Sequence, residues 1–405
     1  MNNERLWTKD FVLISIVNFF LIFSMFLLIV TMAAYATETY DASTSTAGLA
    51  ASIFVIGILI GRLISGRIIS SVGNKKILFA GLLFTLVTTL LYFPASSLTT
   101  LLIVRVLHGF GVGMASTATA TMIAQITPAS RKGEGISYFS LSIILAQAIG
   151  PLVGILLMQH TNYQAFFIVS FLLAAVCLVL SPMIRAADIN TTKEQTKEKA
   201  RHLFSLSKFF ELKVIPISLV TLVIAFSYSG VISFLTVYSV EINLVEAASF
   251  YFLVYAISVL VTRPITGRLM DKKGANPIIY PVLLVFSAGM FVFSQATIGI
   301  MLLLSAAIIG IGYGNFQSVT QTIAIKMTPS HRMGLANSTY FIFLDLGFGV
   351  GPFILGMFVP YTGYRGMYTA LVFVILASIG LYYLLHGRKD KALQCHQKRK
   401  AESVL

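Results

Sequence analysis

The sequence predicts an all-α integral membrane protein of twelve transmembrane helices in two pseudo-symmetric six-helix bundles. Three observations carry this prediction. Of 405 residues, 57% are apolar and only 11% charged, with mean hydropathy +0.87, more than a water-soluble chain of this length could hide from solvent. The chain also repeats itself at a fixed offset of 201 residues. Arg62, Gly66, Arg67 and Gly73 recur as Arg263, Gly267, Arg268 and Gly274; Gly109 and Gly113 as Gly310 and Gly314; Gly150 and Pro151 as Gly351 and Pro352. Finally, the basic residues cluster in alternate loops, as they do where retained Lys and Arg mark the cytoplasmic side.

Apolar runs long enough to cross about 30 Å of hydrocarbon at 1.5 Å per residue lie near 11–34, 46–69, 77–95, 98–124, 135–158 and 163–184 in the first copy. Those of the second copy lie near 214–238, 247–269, 277–296, 298–325, 333–358 and 364–386. The expected organisation is an N-terminal bundle over 1–184, a charged cytoplasmic linker over 185–213, a C-terminal bundle over 214–386 and a basic cytoplasmic tail over 387–405. Lys75 and Lys76, Arg131 and Lys132, Lys272 and Lys273, and Lys326 and Arg332 fall after even-numbered spans, which places both termini inside. The first span is too long for a removable leader and should stay as an anchor.

A net charge of +14 could suggest nucleic acid, but thirteen of the 29 Lys and Arg sit between Arg185 and Lys213 or between Arg388 and Lys400. That placement points to a membrane face rather than a nucleic-acid surface. Two cysteines, Cys177 and Cys395, supply neither a disulfide framework nor a metal site. A phosphate-binding glycine loop opening a soluble helix is missing, as is a nucleophile with a base, so no cofactor and no enzymatic activity are expected. Paired hydrophobic repeats are instead the signature of a secondary transporter in the bilayer.

After the second span, Gly66, Arg67, Ser70, Gly73, Lys75 and Lys76 resemble the signature loop G-x-x-x-D-R-x-G-R-K-K of the major facilitator superfamily. Ser70 stands where that pattern has Asp. The second copy, with Arg263 in the preceding span and Gly267, Asp271 and Gly274 in the loop, keeps the acid at Asp271 and loses basic residues beyond it. The resemblance implies that the acid caps a helix N-terminus, where the helix dipole favours negative charge. Ser70 can accept a hydrogen bond there but brings no charge. In the fourth span, Arg105, His108, Gly109 and Gly113 resemble the family motif R-x-x-Q-G-x-G, with His108 for Gln. In the fifth, Gly150, Pro151 and Gly154 resemble the antiporter motif G-x-x-x-G-P-x-x-G-G with two of its glycines replaced. Glycine permits close helix approach and Pro151 removes a backbone hydrogen bond, so ordinary tight packing explains part of that signal.

Asp345 is the one acidic residue in the interior of any predicted span. A carboxylate whose proton affinity is set by burial and neighbouring charge can load and release protons as its surroundings open to either side. An ion pair with Arg263 is the structural alternative. For Arg105, a role in proton coupling is implied by the resemblance and snorkelling to the outer surface is the alternative; His108, one turn on, has an ordinary titration range near neutrality. Spans 2, 4 and 5 hold no acidic partner for Arg105.

Helical spacing marks Asn18 and Met25 in span 1, Thr221 and Tyr228 in span 7, Tyr255 in span 8, and Tyr313, Phe316 and Gln317 in span 10 as substrate-cavity stripes. Gln147 and Phe341 are expected to close the ring. For any one of these aromatics, packing between helices is the simpler role. The resemblance covers nearly the whole chain and implies a proton-coupled exporter of the twelve-span drug/proton antiporter type, working by alternating access in the plasma membrane. Its expected partners are a small amphipathic or cationic organic substrate, protons and lipid, with the protein a monomer. Two alternatives stand beside it: an exporter of a specific sugar or amino-acid-derived metabolite, and a non-transporting sensor or scaffold.

Overall fold

The computed structural model describes residues 6–42, 46, 49–50, 52–185 and 209–388. Most of the expected linker and nearly all of the expected basic tail lie outside them. Helices fall where the hydropathy runs lie: α1 (Lys9–Tyr40), α2 (Phe54–Val72), α3 (Asn74–Leu90), α4 (Leu98–Ile126), α5 (Lys132–His160) and α6 (Gln164–Leu180). The second copy gives α7 (Ile215–Glu241), α8 (Tyr251–Lys273), α9 (Asn276–Ser294), α10 (Gly299–Lys326) and α11 (Met333–Tyr382). No strand occurs among the described residues, and nine of their helical segments are long and apolar enough to cross a membrane.

Local chemistry sets the ends. The Thr8 hydroxyl accepts from the Phe11 amide at the start of α1, and the Ser97 hydroxyl accepts from Thr100 at the start of α4, each satisfying an amide the helix leaves open. Pro216 and Pro277 sit in the first turns of α7 and α9, where a missing N–H costs nothing. Gly73 and Gly274 take φ of 96° and 81°, the left-handed region that a side chain disfavours, so the repeated loop glycine ends α2 and α8 alike. Gly363, with φ 65° and ψ 173°, breaks α11 into two helical arms. Inside α10, Gly310–Gly314 widens to a π turn around Tyr313.

Two compact units result. One is formed from Met1–Ala129, Phe139–Leu212 and Thr328–Ile342, the other from Ser130–Tyr138, Lys213–Met327 and Phe343–Leu405. The boundaries do not follow the sequence halves: the first turns of α5 belong with the second copy, and those of α11 with the first.

Within each unit the helices approach through glycine. In the first, a Cβ on Gly57, Gly109 or Gly113 would strike the backbone carbonyl of Val106, Phe54 or Ile58 across the α2–α4 contact. The same close approach recurs 201 residues on, where a Cβ on Gly310 would meet the Tyr255 carbonyl at 2.8 Å and one on Gly314 the Val259 side chain. Gly150 and Gly154 let α5 lie on Phe23, Phe26 and Leu27 of α1, and Gly351 lies on Phe226 and Ser229 of α7. Small residues supply the drive for association where lipid is as apolar as leucine. Gly109→Ala should therefore destabilise the protein by about 1–3 kcal/mol, the usual cost of overpacking. Thermal unfolding in detergent checks this, and an unchanged midpoint would show that the α2–α4 contact is looser than drawn.

Candidate functional site

The residues singled out in sequence gather in four places. The first surrounds Arg105 on α4. Arg105 is completely buried, so its guanidinium stays inside the unit rather than reaching for a surface. Its Nε donates to the Ala50 carbonyl at 2.9 Å, and its guanidinium carbon lies 4.7 Å from the centre of the Phe54 ring, a cation–π contact. His108, one turn along, is equally buried; its Nδ1 lies 3.1 Å from the Tyr92 hydroxyl, while its Nε2 meets no hydrogen-bond partner among the described residues. Tyr92 in turn stacks on Phe167 with centroids 4.9 Å apart. Gly109 and Gly113 let α2 approach close enough to bring Phe54 under the arginine.

The second place joins α1, α4 and α5. Asn18 donates through Nδ2 to the Ser142 hydroxyl at 2.9 Å and accepts at Oδ1 from the Thr119 hydroxyl at 3.0 Å. Sequence reasoning picked Asn18 and missed its partners. The hydroxyl run Ser116, Thr117, Thr119 and Thr121 in an apolar helix was the available signal. Gln147 lies half-buried further along α5, and Met25 packs on the apolar core of this unit.

The third is aromatic and belongs to the other unit. Tyr228 of α7 stacks on Tyr313 at 3.9 Å and on Tyr255 at 5.5 Å, with Phe286 and Phe348 set edge-on around them. The π turn of α10 carries Tyr313 into this stack. Phe316 and Gln317 are buried on the same helix. The Thr221 hydroxyl turns back to the Ile217 carbonyl of its own helix. Arg263 donates to the carbonyl of Gly314, the last residue of the π turn, at 2.8 Å. Asp345 stands half-buried on α11 in the same unit. Phe341, one turn earlier, belongs to the first unit, where its ring lies 4.6 Å from the Arg62 guanidinium.

The fourth place is a charged clasp at the start of α5. Asp271 accepts from the Gly133 amide at 2.8 Å and the Glu134 amide at 3.0 Å, and from Lys326 Nζ at 2.8 Å. A carboxylate there meets both the open amides and the positive end of the helix dipole. Glu134 accepts from Arg131 Nε at 2.7 Å and Arg268 Nε at 2.9 Å. Both acids are withdrawn from solvent, their side chains 5% and 8% exposed for Glu134 and Asp271. Gly267 makes the approach possible, since a Cβ there would meet the Gly133 carbonyl at 2.8 Å. In the first unit the corresponding Gly66 lies on Ser338, whose hydroxyl donates to the Arg62 carbonyl at 2.6 Å. Ser70 is exposed there, and Lys75 is half-buried at the start of α3.

Burial by itself would raise the Glu134 carboxyl, but Arg131 and Arg268 outweigh it and hold the group below the ordinary glutamate range. Burial and the nearby Lys326 lower the Lys132 ammonium. No cluster of three or more metal-ligating side chains occurs among the described residues.

Buried basic residues, membrane-length helices and a repeated charged loop are the marks of a membrane transporter built from repeats. The Major Facilitator Superfamily profile matches residues 14–301 and 281–403; the chain belongs to that family and is a multi-pass membrane transporter, not an enzyme. An uncharacterized MFS-type transporter of Methanocaldococcus jannaschii is 26% identical over 361 residues, covering 87% of this chain and 92% of that protein. The staphylopine export protein of Staphylococcus aureus is 24% identical, covering 85% and 88%. The multidrug resistance protein MdtG of Klebsiella pneumoniae is 22% identical, covering 87% and 86%. Among solved structures, the proton:xylose symporter XylE superposes with TM-score 0.74 at 15% identity, covering 95% of this chain and 96% of that one.

A group held ionised by the fold adds stability above its unfolded pKa and loses it as pH falls through the depressed folded value. The difference in unfolding temperature between wild type and Glu134→Gln should therefore be constant above pH 4.5, the ordinary value, and close only below it. A gap that already closes above pH 6 would mean that the arginines do not hold this acid.

Proposed function

We propose that the chain is a proton-coupled exporter of a small amphipathic or cationic organic molecule, working by alternating access. The observation that carries the reading is the lone span-interior carboxylate, Asp345, in the unit that also holds the stacked phenols of Tyr228, Tyr255 and Tyr313. Aromatic faces attract organic cations and pack amphipathic rings. One carboxylate supplies a charge that either a proton or a cationic substrate can neutralise, and competition between them is enough for exchange. A highly charged anion would need several cations instead.

Direction is supported by the Gly150, Pro151 and Gly154 motif and by similarity to two proteins named for export and for multidrug resistance. Arg105 and His108 are the second element of coupling in this reading. They form a buried pair whose arginine is fixed by a carbonyl and a ring, and whose imidazole has one nitrogen without a hydrogen-bond partner among the described residues. The Asn18, Thr119 and Ser142 trio favours a second reading, a narrower metabolite recognised by hydrogen bonds.

Membrane vesicles with an imposed pH gradient, a pH-sensitive dye and a panel of lipophilic cations and neutral metabolites test both. Substrate-dependent collapse of the gradient is expected in wild type and not in Asp345→Asn, while Arg105→Ala should slow coupled transport more than substrate-only exchange. Full coupling in Asp345→Asn would remove that residue as the carrier, and a response to neutral metabolites alone would select the narrower reading.

A further inference from the structure

The 201-residue repeat places Ser70 where Asp271 stands and Leu335 where Glu134 stands. Both carboxylates of the clasp on α5 are thus absent from the corresponding positions at the start of α11. Arg332, the counterpart of Arg131, is retained. Its partner comes from elsewhere: Arg332 Nε donates to Glu211 Oε2 at 2.5 Å. The Glu211 amide donates to the Thr339 hydroxyl at 2.9 Å, two turns into α11. Two residues earlier, Phe209 lies under the Arg67 guanidinium, 4.7 Å from its carbon. The short segment 209–212 therefore grips the motif arginine of α2 on one side and the first turns of α11 on the other, all within one compact unit.

We propose that Glu211 is the substitute acid of this chain: a positioning residue that holds the first turns of α11 against α2 in place of the missing carboxylate at position 70. Burial supports the assignment, since the Glu211 side chain is 7% exposed and an acid so withdrawn needs its arginine. Repeat symmetry does not dictate it. The counterpart of Glu211 is Asp10, and Asp10 accepts instead from the Arg185 amide at 2.8 Å. The two clasps are consequently wired differently. One holds a helix N-terminus by a carboxylate on its amides. The other holds it through an arginine and a threonine, from a residue at the end of the segment that links the two copies. Because α11 goes on to Phe341 and Asp345, release of Glu211 would move the helix that carries the proposed coupling carboxylate. That consequence rests on the transport reading, whereas the clasp does not.

The test reads packing rather than transport, so it stands if the transport reading fails. In the full chain, with Cys177 and Cys395 replaced by serine, Ile69→Cys places a thiol in the buried α2 position that packs on Gly334 of α11. Maleimide labelling of detergent-solubilised protein should be slow in this background. Glu211→Gln or Arg332→Gln should each speed it about fivefold, the ratio that ~1 kcal/mol gives, and the two together should add nothing further. Ser70→Asp introduced into the Glu211→Gln protein should restore protection, because the acid returns to the position it holds in the second copy. Unchanged labelling in Glu211→Gln, or no restoration by Ser70→Asp, would overturn the assignment. If Glu211→Gln does not give a monodisperse protein, the exchanged pair Glu211→Arg with Arg332→Glu decides it: protection kept supports the ion pair and protection lost refutes it.

Discussion

Hydrocarbon offers a peptide group nothing to bond with, and each unpaired amide or carbonyl there costs several kcal/mol. A chain this apolar must close its own hydrogen bonds, which is why its apolar runs appear as helix after helix. Cohesion then depends on how nearly two helix backbones can touch, because lipid is as good a neighbour for leucine as another leucine is. Gly57, Gly109 and Gly113 against backbone carbonyls in one unit, and Gly310 against a carbonyl and Gly314 against the Val259 side chain in the other, are one solution met twice. The functional side chains inherit their places from it. Phe54 reaches Arg105 only because Gly109 leaves room for the α2 backbone, and Tyr255 reaches Tyr228 at the contact where Gly310 meets its carbonyl.

Close packing also explains how this interior keeps arginine. A guanidinium buried in a membrane is expensive unless its N–H groups and its charge find partners. Arg105 has the Ala50 carbonyl and the Phe54 face, Arg62 has the Phe341 face, and Arg263 has the Gly314 carbonyl at the edge of the π turn. Carbonyl dipoles and ring quadrupoles thus help hold these cations in place. Three of the described carboxylates, Glu134, Asp271 and Glu211, sit instead at the two clasps, where arginine and lysine meet them directly.

What was legible in the sequence follows from this division. Period and hydropathy depend on residue type alone, so helix positions, the break at Gly363 between predicted spans, and the paired glycines could be read in advance. The repeat made the equivalence of Gly73 and Gly274 visible before their shared left-handed backbone was known. Side-chain partnerships were a different matter. Nothing in a linear pattern joins Thr119 and Ser142 to Asn18, because the three meet only once α1, α4 and α5 have packed. Glu211 was hidden more completely, since it sits at the end of a charged stretch whose composition reads as a solvated tether. What marks it in the structure is its burial beside Arg332. The internal repeat carried the one usable hint, an arginine kept at 332 with its acid at 335 replaced by leucine.

The two clasps differ in how they can let go. Around α5, Asp271 and Glu134 are nearly dry and bonded to Lys326, Arg131, Arg268 and two helix amides. Removing Lys326, or both arginines of Glu134, would leave a charge buried and uncompensated, a penalty larger than the net value of the pair. Such a cluster cannot loosen bond by bond; water must enter and rehydrate both acids together, so its opening is cooperative. At the start of α11 stand the Arg332–Glu211 ion pair, the Thr339 hydroxyl and cation–π contacts that a guanidinium can leave without exposing a bare carboxylate. The α11 side therefore opens with the smaller desolvation demand. The asymmetry between two copies of one sequence unit then lies in the placement of three acids, at 134, 211 and 271, rather than in the helices that carry them.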